Sequence, residues 1–248
     1  MNSIVVKNLY KTYAGALQPT LQGLSFSFPE GKIVGLLGPN GAGKTTTISI
    51  LCGIVKASSG EVTVCGLSQD ASHREQVKRV MGIVPQQIAL FPQLTAYENL
   101  VYFGNLYGLK GKSLRGKILD YLEAFGLEKA AHKEVIKFSG GMKRRTNIIA
   151  AILHDPELLI LDEPTAGVDV QSRSMILRFL REYNAKGNSV LYTSHLLEEA
   201  QQICDEVVIM DEGKVLVQGE PGILIQTLNE CRNLEDVFLH YTGEAVRD

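Results

Sequence analysis

Residues 38–45 read Gly-Pro-Asn-Gly-Ala-Gly-Lys-Thr, a full match to the pattern G-x-x-x-x-G-K-[ST]. The match lies between a continuous apolar run at 33–37 and a helix expected from about Gly43 to Cys52. A buried strand, a glycine-rich loop and a helix in that order restrict the chain to an α/β arrangement. With glycine near ~7% of residues, such a match arises by chance on the order of once per hundred chains of this length. Its placement between strand and helix argues against chance.

The remaining patterning agrees with an α/β core. Residues 4–6 and 21–28 are rich in β-branched and aromatic residues, with alternation in Leu24-Ser25-Phe26-Ser27-Phe28, and Pro29-Glu30-Gly31 is a turn signal. Further buried strands are expected at 80–84, 158–161, 189–192 and 207–210, several separated by helical stretches, which implies a mainly parallel sheet. Between 95 and 154 the pattern is helical only. Thr95 can cap a helix with Glu98 completing a capping box, and Ser139 is a second cap. After it Met142, Ile149, Ala150 and Leu153 share one helical face, and Asp155-Pro156 stops the helix. The expected organisation is one domain over 1–248. An α/β core occupies 1–86 and 156–219, a helical subdomain 87–155, and a helical tail at the sheet's edge 220–248.

Composition narrows the partners. Hydrophobic and charged fractions of 45% and 21% are those of an ordinary globular chain, and a net charge of −2 does not favour a nucleic-acid partner. Cys52, Cys65, Cys204 and Cys231 form no C-x-x-C pair, so reduced thiols in a cytosolic compartment are expected rather than zinc or disulfides. The opening MNSIVVKNLYKTY lacks a basic segment leading into an apolar one, so no signal peptide is expected. No stretch approaches ~20 consecutive apolar residues, so any membrane role requires spans on another chain.

The loop at 38–45 has the chemistry of a phosphate cradle. Its glycines let successive N–H groups point inward, and the following helix adds its positive end. Lys44 can reach β- and γ-phosphates, and the Thr45 hydroxyl can ligate Mg²⁺. Residues 158–163, Leu-Leu-Ile-Leu-Asp-Glu, form an apolar strand that delivers carboxylates to the end where α/β sheets bind ligands. Asp162 suits Mg²⁺, and Glu163 is placed to act as general base on an attacking water.

Phe138-Ser139-Gly140-Gly141-Met142 resembles the signature of ATP-binding cassette (ABC) ATPases, and the likeness extends over nearly the whole chain. Tyr13 resembles that family's adenine-stacking aromatic, Gln86 its Q-loop glutamine, Asp169 its D-loop aspartate and His195 its switch histidine. The resemblance implies a P-loop NTPase core, an N-terminal antiparallel β-subdomain and an inserted α-helical subdomain. It implies an ATPase coupled to transmembrane transport, with ATP and Mg²⁺ as ligands. Glu163, His195, Lys44 and Gln86 would be catalytic, and Thr45, Gln86 and Asp162 would face the metal. Nucleotide contacts would come from Tyr13, from Gly38, Pro39, Asn40, Gly41, Ala42, Gly43, Lys44, Thr45 and Thr46, and from Ser139, Gly140, Gly141 and Asp169.

The same resemblance implies a head-to-tail homodimer, or a heterodimer with a similar chain, in which each signature faces the other subunit's P-loop. A separate multi-span permease would hold the protein peripherally on the cytoplasmic face of the membrane. The uncharged segment 87–97, carrying Phe91, Leu94 and Tyr97, is where it would dock. Met142 departs from the signature glutamine and Phe138 from its leucine. The string 138–145, FSGGMKRR, looks most like the branch of separate ATPase subunits serving exporters of drugs, ions or polysaccharides. The alternative is a soluble ABC-type ATPase acting on nucleic acid or ribosomes, but no coiled-coil insertion or second cassette is visible. A P-loop kinase or GTPase does not account for the signature. Lys143-Arg144-Arg145 reads as a solvated helix face.

Overall fold

A computed structural model describes residues 2–228 and 230–243. Its central sheet has six strands in the order β10-β9-β3-β8-β7-β6. These are β3 (Ile33–Leu37), β6 (Met81–Val84), β7 (Leu158–Asp162), β8 (Ser189–Thr193), β9 (Glu206–Asp211) and β10 (Lys214–Gly219). All pairings are parallel except that of edge strand β10 with β9. Continuous apolar runs form the inner strands because both sheet faces are covered. Along β3, Ile33 and Leu37 enter one core cluster while Val34 and Leu36 enter another. The same alternation separates Leu159 and Leu161 from Leu158 and Ile160 on β7. Each such side chain, fully buried, stabilises the fold by about 1.5–3 kcal/mol.

A second, antiparallel sheet of order β2-β1-β4-β5 is built by β1 (Asn2–Lys11), β2 (Leu21–Pro29), β4 (Ser59–Val64) and β5 (Leu67–Ser68). The strand expected at 4–6 extends over Asn2–Lys11 because β1 pairs along its length with both β2 and β4. Nothing in the local pattern of Ser59-Gly60-Glu61 announces β4, whose exposed start becomes a strand only by pairing with β1.

Between β3 and β4 lies α1 (Lys44–Leu51), with Gly43 and Cys52 as its caps. A short helix, α2 (Arg74–Val80), precedes β6. From β6 to β7 the regular elements are helical: α3 (Ala96–Leu106), α4 (Gly111–Ala124), α5 (Gly140–Ile152) and two 3₁₀ turns. The Thr95–Glu98 capping box is present in full, and Ser139 caps α5 by accepting from the Met142 N–H at 3.2 Å. Beyond β7 come α6 (Val170–Ala185), α7 (Leu197–Ile203), α8 (Pro221–Thr227) and α9 (Leu234–Thr242). The tail is helical as expected, with residues 229 and 244–248 outside the described residues. Its Leu224, Leu234 and Val237 join the cluster containing Val207 and Ile209 of β9, so it covers the sheet's face rather than its edge.

Candidate functional site

The loop after β3 turns sharply because Gly41 and Gly43 take positive φ angles of 79° and 103°. At Gly43 an added Cβ would stand 2.7 Å from Leu21, so glycine is required there by space as well as conformation. The loop and the start of α1 wrap Lys44, which is 8% exposed. Its Nζ donates to Gly38 O at 2.5 Å and to Pro39 O at 3.0 Å. Burial pushes the Lys44 ammonium below its ordinary pKa, and the charges of Glu163 and Asp162 oppose that shift. The loop borders a cavity of about 260 Å³ that is lined from Asn40 to Thr46 and also by Thr20, Gln86, Glu163 and His195.

Facing that loop is the carboxyl end of β7. Parallel pairing sets Asp162 beside Thr193 of β8. Thr193 Oγ1 donates to Asp162 Oδ1 at 2.7 Å and accepts from the Glu163 N–H at 3.0 Å. Glu163 adopts a left-handed backbone, φ 49°, which is uncommon for a residue with a side chain. Gln86 Nε2 donates to Glu163 Oε2 at 2.9 Å, and His195 Nε2 is in close polar contact with Glu163 Oε1. Three residues from distant parts of the chain therefore meet at one carboxylate. Tyr13 is 42% exposed beyond the cavity lining, with its hydroxyl 3.4 Å from Thr46 Oγ1.

The signature residues do not line this cavity. Ser139, Gly140 and Gly141 open α5 against the start of α6. An added Cβ at Gly141 would meet Ser172 Oγ at 2.2 Å and Asp169 Oδ2 at 2.7 Å, so a side chain there would collide with the α6 cap. Asp169 provides that cap, accepting from the Ser172 N–H and hydroxyl, both at 2.8 Å. These hydrogen bonds hold its carboxyl below the usual range. Within one chain the named residues thus fall into two groups: the cavity group, and the group where α5 meets α6.

Lys143-Arg144-Arg145 is not a solvated face. Arg144 is 5% exposed, donating from Nη1 to Pro85 O at 2.8 Å and from Nη2 to Gln86 O at 2.6 Å. Arg145 donates to Phe125 O at 2.6 Å. A basic run on the first turns of a helix normally projects to water, but the turn after β6 lays its carbonyls against α5. Thr193 and Arg144 are the residues that local sequence reasoning missed. Both act through register and packing across many residues, and neither leaves a local signal.

The site fits its expected ligands. A buried ammonium at a glycine-rich helix start suits a polyphosphate. Thr45, Gln86 and Asp162 offer a hydroxyl, an amide and a carboxylate, the hard oxygen donors Mg²⁺ prefers.

Residues 21–166 match the ABC transporter family. Linearmycin resistance ATP-binding protein LnrL of Bacillus subtilis (strain 168) is 46% identical over 213 residues, spanning 86% of this chain and 68% of that protein. Nod factor export ATP-binding protein I of Burkholderia orbicola (strain AU 1054) is 39% identical over 229 residues, spanning 92% and 74%. Among solved structures, a dimeric post-hydrolysis state of the ATP-binding cassette MJ0796 bound to ADP and Pi superposes with a TM-score of 0.79. It is 27% identical and covers 88% of this chain and 98% of its own.

Proposed function

The chain belongs to the ABC transporter family, and from that premise we propose that it hydrolyses Mg-ATP in the cavity between Lys44 and Glu163 to drive export through a separate multi-span permease. The observation that carries this reading is the convergence of Gln86 and His195 on Glu163 opposite the P-loop.

In this reading residues 38–46 grip the phosphates, with Lys44 turning from its own loop carbonyls to the β- and γ-phosphate oxygens. Tyr13 stacks on adenine. Thr45, Asp162 and the amide oxygen of Gln86 would hold Mg²⁺, which would supply neutralisation of phosphate charge when bound. Glu163 takes the proton of the attacking water, and His195 donates to the γ-phosphate from Nε2. Gln86 and His195 each occupy one Glu163 oxygen, orienting the carboxylate while each oxygen keeps a further lone pair for the water proton. The strained backbone of Glu163 and its anchor on Thr193 keep the carboxylate aimed at the cavity.

Ser139, Gly140, Gly141 and Asp169 lie outside their own cavity, which supports a role at a partner's. A second subunit, identical or similar, places them against the facing γ-phosphate, and hydrolysis removes the group holding the halves together. The dimeric relative bound to ADP and Pi favours this arrangement. Export is favoured by the Nod factor export relative. No helix among the described residues is long and apolar enough to cross a membrane. In this reading the permease holds the chain peripherally at the cytoplasmic face. Phe91 and Tyr102 are exposed and meet edge to face at 4.8 Å, giving the 87–97 segment and α3 an aromatic surface for that partner. The division into core 1–86 with 156–219, helical subdomain 87–155 and tail 220–248 belongs to the same proposal.

A tagged chain drawn from gently solubilised membranes is expected to bring down a multi-span membrane protein. Recovery with ribosomes or DNA instead would replace this reading with the soluble one.

A further inference from the structure

Glu199 is a carboxylate in the wrong place for a surface helix: it sits on α7 and is 5% exposed. Burying a charge is costly unless it is paired and hydrogen-bonded. Its Oε2 accepts from Thr165 Oγ1 at 2.7 Å and from the Tyr192 hydroxyl at 2.5 Å. Arg173 Nε stands 3.0 Å from Oε1, in charge contact but not aligned for a hydrogen bond. The carboxylate also raises the Tyr192 pKa, second to burial, which keeps that hydroxyl a donor.

These three partners come from the turn after β7, from β8 and from α6, the first two adjoining Glu163 and Thr193. Thr165 lies two residues after Glu163, in a turn closed by the Ala166 N–H donating to Glu163 O at 3.2 Å. Tyr192 directly precedes Thr193, which holds Asp162 and the Glu163 N–H. Arg173 stands on α6, where its N–H donates to Asp169 O at 2.9 Å. A left-handed Glu163 persists only where its surroundings over-determine it. An apolar residue at position 199 would fill the space more cheaply, but it would tie none of these segments together.

We propose that Glu199 is a positioning residue for hydrolysis: it locks the turn after Glu163 to β8 and to α6, and so fixes where the Glu163 carboxylate points. The proposal rests on Glu163 being the general base. Glu199 is not among the residues lining the cavity around Lys44, so its loss affects turnover and spares nucleotide binding.

The test uses the full chain and compares kcat and KM for ATP, fluorescent-nucleotide affinity and melting temperature. Glu199→Gln keeps the shape but sets an amide against Arg173. Thr165→Val removes one donor, and Thr165→Ser restores it. Glu199→Gln and Thr165→Val are expected to lower kcat about 10- to 100-fold. KM and nucleotide affinity should stay within about threefold, and Thr165→Ser should return to within about threefold of the parent kcat. Should Glu199→Gln not fold, the Thr165 pair decides. Parent-like kcat in Thr165→Val, or kcat and affinity falling together with the melting temperature, overturns the proposal. Glu163→Gln is measured alongside. If it turns over slowly while Thr165→Val is fully active, only the positioning role fails. If Glu163→Gln itself keeps full turnover, the reading beneath the proposal fails too.

Discussion

Gln86 Nε2 donates to Glu163 Oε2 at 2.9 Å across a separation of 77 residues. This contact joins the turn after β6 to the carboxyl end of β7, two segments whose strands are neighbours in the sheet. Gln86→Ala leaves the loop around Lys44 intact but frees one carboxylate oxygen and removes a proposed metal-facing group. ATP binding without Mg²⁺ is expected to stay within about threefold, while kcat falls about tenfold or more. Isothermal titration and steady-state kinetics check both halves.

Thr193→Val tests the anchor beneath the carboxylates. The substitution removes the donor to Asp162 and leaves the Glu163 N–H without its 3.0 Å acceptor. An unsatisfied buried N–H costs about 1–3 kcal/mol. The variant should melt earlier and need more Mg²⁺ for half-maximal activity. Thr193→Ser should behave like the parent.

Arg144 binds α5 to the turn carrying Gln86 through two carbonyls at 2.8 and 2.6 Å. Hydrogen bonds to a charged group contribute about 1.5–3 kcal/mol each. Arg144→Met should therefore destabilise the protein by about 3–6 kcal/mol, seen in urea unfolding. Arg144→Lys should recover little, because a single ammonium cannot reproduce the fork across both carbonyls.

Burial raises the pKa of Cys52 to about 12, with a smaller contribution from the Asp162 charge. Cys65 is also pushed up to about 12, by burial first and then by Glu157 and Glu30. The reactive thiolate is then on the order of one part in 10⁴ at pH 8. Native protein should be alkylated slowly at both positions, and urea-unfolded protein quickly. Fast native labelling of Cys52 at pH 8 would show that the helix end it caps is open.

Legibility in the sequence followed the range of the interaction. The loop at 38–45, the Thr95–Glu98 box and the Ser139 cap are local patterns, and each folds as its residues demand. Strands β3, β7, β8 and β9 were legible because burial on both faces makes them continuously apolar. The exposed start of β4 and the polar alternation of β10 depend on a paired neighbour, so neither declared itself. Arg144 was misread for a related reason. Its burial is decided by Pro85 and Gln86, nearly sixty positions earlier, rather than by the helix that carries it. The strand pattern singled out Glu163, and the resemblance named Gln86 and His195. That they meet at a single carboxylate, and that Thr193 and Glu199 support them from behind, follows only from the strand register and helix packing.

The proposed chemistry turns on Glu163 accepting the proton of the water that attacks the γ-phosphate. Single-turnover hydrolysis by Glu163→Gln, measured with ATP binding on the same preparation, tests it most directly. Near-parent ATP affinity, hydrolysis slower by about 10²- to 10⁴-fold and an ATP-stabilised dimer on gel filtration are expected. Turnover at the parent rate by well-folded Glu163→Gln would contradict it.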